Sequence, residues 1–97
     1  MNEFDELLEI VAKLRVECPW DQEQTHESLA KHLIEESYEL LDAISKLNTS
    51  TESFDELKNE LGDVLLQIFL HSKIAEEKKF FNMSDVMGNL RLKLIKR

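Results

Sequence analysis

Apolar residues recur at helical intervals along most of the chain. Phe4, Leu7, Leu8, Val11 and Leu14 follow the three- and four-residue spacing of a single helical stripe and predict a first helix over about Glu3–Glu17. That helix ends before Cys18-Pro19, because a residue preceding proline disfavours helical backbone. A connector over Cys18–Gln24 leads to Thr25, an N-cap for a second helix that runs to about Leu47. Leu47–Glu52 reads as a turn, and Ser53 with Glu56 forms a capping box before a third helix from Phe54 to about Lys78. Past Phe80-Phe81-Asn82-Met83, Ser84 caps a fourth helix that continues to the end at Arg97. The expectation is an all-α fold: a four-helix chain in a single domain over residues 1–97, with the second and third helices as its core hairpin. Two glycines and one proline supply too few turns for a sheet protein.

The acidic residues interrupt this pattern. With Leu29 set at zero and about 100° per residue, Leu33, Leu40, Ala43, Ile44 and Leu47 fall within roughly 60° of it and mark the stripe expected to be buried. Glu36 falls about 20° from zero, inside the stripe; Glu39 lies about 80° off, at its border, and Glu35 further round. On the third helix Leu57, Leu61, Val64 and Ile68 form one stripe, and Glu60 lies about 60° from its centre. Asp63 and Gln67 continue along that flank, and His71 turns back toward the core. Most acidic helix residues simply face solvent, which suits Glu23, Glu27, Asp42 and Glu52. It does not suit Glu36, since an ionised carboxylate in an apolar stripe is costly unless paired or metal-bound. The basic residues nearest in sequence, Lys31 and Lys46, project elsewhere on the helix.

Depth along the hairpin adds a second argument. If the two helices run antiparallel about the turn, Glu36 and Glu39 sit at the same level as Glu60 and Asp63, roughly 10–17 Å from the turn at about 1.5 Å per residue. Four carboxylates at one level make a site for a hard cation, Mg²⁺ or Mn²⁺ rather than zinc. On the fourth helix Lys93 and Arg97 stand four apart, on the face that carries Val86 and Leu90, which turns both cations inward. They suit a triphosphate beside the metal, or equally side chains snorkelling past a core edge.

Around Val64–Leu70 the third helix is apolar on nearly every side, with Leu66, Phe69 and Leu70 pointing away from the Leu57 stripe. A helix apolar all round must be buried all round, which a chain this short does poorly by itself. A second copy is therefore expected to complete the bundle, giving a homodimer or higher oligomer.

Charge narrows the partners. The formal net charge is −8, and it is unevenly spread: residues 1–63 carry 17 Asp and Glu against 5 Lys and Arg, residues 64–97 carry 3 against 7. Such a surface repels nucleic-acid backbone and anionic lipid, so neither a nucleic acid polymer nor a membrane is an expected partner. A nucleotide would need cations to approach. No run of about 18 apolar residues spans a bilayer, the N-terminus is acidic rather than signal-like, and the single cysteine, Cys18, has no disulfide partner. A cytoplasmic location is the expectation.

The motifs taken together resemble a known family. Glu35-Glu36-x-x-Glu39 followed by Glu60-x-x-Asp63 is similar to the EExxE…ExxD signature of the MazG and all-α NTP pyrophosphatase superfamily. Leu14-Arg15, Cys18-Pro19-Trp20-Asp21, Gln24-Thr25, Glu60-Leu61-Gly62-Asp63 and Lys93–Arg97 resemble MazG proteins in particular. The resemblance implies an enzyme: a Mg²⁺-dependent hydrolase converting a nucleoside triphosphate and water to the monophosphate and pyrophosphate, working as a dimer or higher oligomer. Position by position it implies Glu36, Glu39, Glu60 and Asp63 as metal ligands, with Glu35 or Glu39 accepting the proton of the attacking water. Lys93 and Arg97 match phosphate-contacting positions, and Lys58, Asn59 and His32 match positions near the nucleotide. MazG proteins usually continue with a histidine-proline-histidine segment, which this sequence, ending at Arg97, does not contain. A helical module that holds Mg²⁺-nucleotide or regulates a partner without turnover is the alternative.

Other residues fit less. Trp20 either stacks on a base or packs beside Pro19 to lock the connector. Cys18 has no neighbouring histidine to activate it. The histidines invite a di-iron reading, yet no Glu-x-x-His pair occurs. Gly62, unfavourable inside a helix, suggests close approach of a neighbouring helix.

Overall fold

A computed structural model describes all residues, 1–97, as five α-helices and no strand: α1 Glu3–Glu17, α2 Pro19–Glu23, α3 His26–Ser45, α4 Thr51–Glu77 and α5 Met83–Ile95. No helix is long and apolar enough to cross a membrane. The first helix has the expected bounds, capped by Asn2, whose side chain accepts from the Asp5 N–H. The extra helix is the connector itself. Pro19 occupies a first helical position, where its missing N–H costs nothing, and α2 follows directly. The chain divides into two compact units, Met1–Glu23 with Phe69–Arg97, and Gln24–Ile68.

In the first unit Arg15 is the organising residue. Its Nε and Nη2 donate to the two carboxylate oxygens of Glu77 at 2.9 and 2.7 Å, and its Nη1 donates to the carbonyls of Asp21 and Gln22. One guanidinium thereby ties α1, α2 and the end of α4 together. The Glu77 hydrogen bond raises the arginine pKa, and the arginine in turn holds the Glu77 carboxyl below its ordinary range. Arg15 is 10% exposed and Glu77 37%, so solvent screens part of the attraction. Glu77→Gln should lower stability by about 1–2 kcal/mol at neutral pH. A carboxyl with a depressed folded-state pKa stabilises above its unfolded value and loses that contribution as pH falls through the folded one. Thermal melts of wild type and variant should therefore differ at pH 7 and converge in acid; equal melts at pH 7 would show that the pair contributes nothing.

Phe69 packs on Phe4 with ring centroids 6.0 Å apart and planes tilted by 56°. Phe69 and Leu70 are 5% and 0% exposed, which corrects the expectation that they await a second copy; Leu66 does remain exposed. Helix α4 stops without glycine. Lys79 takes φ 65°, the Phe80 N–H reaches the Ala75 carbonyl and the Lys79 N–H that of Glu76, a Schellman closure on a lysine. Asn82, not Ser84, caps α5, in a reciprocal box with Asp85.

In the second unit Thr25 caps α3 as expected, exchanging hydrogen bonds with Ser28. The turn differs. Ser50 caps α4, its Oγ accepting from the Ser53 N–H at 3.2 Å, while the Ser53 hydroxyl is buried and hydrogen-bonded to Asn48 and Ser50. Ser53 is thus a tie across the turn rather than a cap, and α4 begins at Thr51. Leu29 and Ala43 are buried as predicted, whereas Leu33, Ile44, Leu61 and Ile68 are exposed. A Cβ on Gly62 would meet nothing within 4 Å, so close helix approach within the chain is not the reason for that glycine.

Candidate metal centre

Glu36 and Glu39 lie three apart on α3, and Glu60 and Asp63 three apart on α4, a spacing that sets each pair on one helix face. One carboxylate oxygen from each of the four can be chosen so that all lie within 4.8 Å of one another. Glu36, Glu60 and Asp63 are half-buried and Glu39 is exposed. The Oε2 atoms of Glu36 and Glu60 are buried without a hydrogen-bond partner. The Glu36 pKa is raised, first by burial and then by the charges of Glu39, Asp63, Glu60 and Glu35. Burial, the charges of Glu39 and Asp63 and a hydrogen bond with Glu39 raise that of Glu60, against a lowering hydrogen bond from Asn59.

Basic side chains nearby are engaged elsewhere. Lys46 pairs with Asp42 at 2.9 Å and Lys58 with Asp55 at 3.4 Å. Four acids at this separation need a proton or a cation between them. An all-oxygen donor set with two orphaned buried oxygens fits a hard divalent ion. The residues present therefore suit the metal that the sequence motifs imply.

Beside the cluster a groove of about 790 Å³ runs between α3 and α4, lined by Tyr38, Asp42, Lys46, Glu56 and Asn59 and sharing Glu39 and Glu60 with it. Of these residues the sequence motifs single out Asn59, Glu39 and Glu60. Tyr38 and Asp42 carry no periodic signal, and Glu56 reads as a cap partner.

The remaining sequence candidates are not among the four clustered carboxylates. Glu35 stands outside the four, its carboxylate 3.7 Å from Nδ1 of the half-buried His32. Lys58 is exposed. Trp20, in α2 of the other unit, is about half exposed. Lys93 occupies the last turn of α5, and Arg97 lies beyond the helix end at Ile95. Both are exposed, as is Leu90, so the apolar face does not turn these cations inward as the spacing suggested.

The family model described as the MazG nucleotide pyrophosphohydrolase domain matches residues 24–97, and the chain belongs to this family. A Thermotoga maritima protein named nucleoside triphosphate pyrophosphohydrolase/pyrophosphatase MazG is 50% identical over 96 residues, covering 97% of this chain and 36% of that protein. The Escherichia coli K12 nucleoside triphosphate pyrophosphohydrolase is 41% identical over 100 residues, covering 100% of this chain and 36% of that protein. The chain thus spans about a third of the length of these curated relatives. The crystal structure of a mazG-related protein from Thermotoga maritima superposes with a TM-score of 0.75 at 24% identity, over 93% of this chain and 75% of that one. It shares the fold.

Proposed function

We propose that the chain is a Mg²⁺-dependent nucleoside triphosphate pyrophosphohydrolase, with Mn²⁺ as a substitute metal. Glu36, Glu39, Glu60 and Asp63 hold the cation. The observation that carries the reading is the convergence of four carboxylates from facing helices with no basic side chain paired to them. When bound, the metal offsets phosphate charge and acidifies a water for in-line attack. Water oxygen bonds to the α-phosphorus, the bond to the bridging oxygen breaks, and pyrophosphate leaves with the nucleoside monophosphate as the other product.

Glu35 takes the water's proton; this is supported by its position next to Glu36 in sequence and outside the four clustered carboxylates, with His32 3.7 Å away. Glu39, the other candidate, belongs to the cluster and serves as a ligand. The groove beside the metal receives the nucleoside, with Asn59 on its wall; His32, Lys58 and Trp20 are further nucleotide contacts by resemblance. Lys93 and Arg97 bind the leaving pyrophosphate. Lys93→Ala should raise KM for the triphosphate and lower kcat, on the order of tenfold in kcat/KM, with the melting temperature held; a lower melting temperature with unchanged kinetics would assign it a structural role instead.

A second copy of the chain completes the assembly. Phe54, Leu61, Leu65 and Ile68 line one side of α4, and all are exposed, as are Leu33 and Ile44 of α3. The function is tested by incubating the protein with each ordinary, deoxy and oxidised triphosphate, with Mg²⁺ or with chelator, and assaying pyrophosphate. Mg²⁺-dependent release is expected. Mg²⁺-dependent nucleotide binding without release would make the chain a binding or regulatory module.

A further inference from the structure

A buried amide stands on the same flank of α4 as two of the carboxylates. Gln67 follows Asp63 by four residues and Glu60 by seven, so at about 100° per residue it lies within roughly 40° of both around the helix. It is 5% exposed, and its Oε1 is buried without a hydrogen-bond partner. Native proteins leave few such atoms unsatisfied, so each calls for a cause.

Glu36 Oε2 and Glu60 Oε2 share that condition. All three oxygens are acceptors. Whatever satisfies them must bring positive charge to the carboxylates and a donor to the amide. A hydrated divalent cation brings both, because Mg²⁺ dehydrates reluctantly and keeps several waters. Reach is adequate. Helical side chains lean toward the helix N-terminus and lie over the residue one turn earlier, which for Gln67 is Asp63. At 5% exposure the amide leaves little for a nucleobase or a second copy to contact from outside.

We propose that Gln67 is a positioning residue of the metal centre, its Oε1 accepting a hydrogen bond from a water held on the cation; this rests on the assignment of Glu36, Glu39, Glu60 and Asp63 as ligands. A neutral acceptor orients that water without adding a fifth negative charge to a cluster already crowded with them.

The test is a titration of the full chain with Mn²⁺ alone, followed by electron paramagnetic resonance or calorimetry, on wild type, Gln67→Leu and Gln67→Met. Both variants should melt at or above the wild-type temperature, because the orphaned acceptor is gone, and should bind Mn²⁺ about 10–100-fold more weakly. If leucine prevents folding, methionine, which keeps the length and adapts to its surroundings, carries the measurement. Wild-type Mn²⁺ affinity, within about twofold rather than the 10–100-fold expected of a supporting group, in a folded variant would overturn the inference and leave the ligands standing. Absence of Mn²⁺ binding by the wild type would overturn ligands and inference together.

Discussion

Glu36→Gln and Asp63→Asn are each expected to reduce metal-dependent hydrolysis on the order of 10²–10³-fold or more, while the helical fold persists. Either change removes one of four oxygens that converge within 4.8 Å. The same changes should raise the melting temperature of the metal-free protein. Glu36 has a pKa raised by burial and by its acidic neighbours, so its ionised form opposes folding at neutral pH. An amide of the same shape removes that opposition. Addition of Mg²⁺ should stabilise the wild type by mass action and the variants far less. Hydrolysis by either variant at near wild-type rate would eliminate this cluster as the catalytic centre.

Leu61→Glu combined with Ile68→Glu should dissociate the assembly. Leu61 is 51% and Ile68 40% exposed, and they stand seven apart with Phe54 on the same side of α4, a spacing of two helical turns. Burying a leucine or isoleucine against a second copy contributes about 1.5–3 kcal/mol each, and every 1.4 kcal/mol is about tenfold in affinity. Two glutamates in each copy also set like charges against one another in a symmetric contact. Sedimentation equilibrium at micromolar concentration should give a dimer or larger species for the wild type and a monomer for the double variant. A wild type that is monomeric and fully active would defeat the shared-bundle arrangement.

Much of the fold is legible in the sequence because the signals are local. The apolar spacing up to Leu14, the proline at 19 and the threonine at 25 set the ends of α1 and the start of α3. What the sequence left hidden depends on distant contacts or on unusual chemistry. Phe69 and Leu70 look like surplus apolar surface until Phe4 is seen against Phe69. The end of α4 rests on Lys79 in a left-handed conformation, where a glycine would have announced the stop. Ser53 reads as a cap, yet Ser50 takes that role, since both serines are possible caps and only the turn chooses between them.

The candidate site divides the same way. Carboxylates three apart on two helices joined by a short turn had to meet if the helices ran antiparallel, so all four ligand candidates were readable. Tyr38 and Asp42 of the groove were not, because they acquire a place there only from the helix facing them. The burial of Gln67 was equally hidden: its place on the flank is a matter of spacing, but whether its oxygen has a partner is a matter of packing.

The most direct measurement follows one triphosphate turnover by phosphorus NMR in ¹⁸O-enriched water with Mg²⁺ present. The account predicts monophosphate and pyrophosphate as the sole products, with the label on the monophosphate; label in pyrophosphate, or diphosphate with free phosphate, would contradict it.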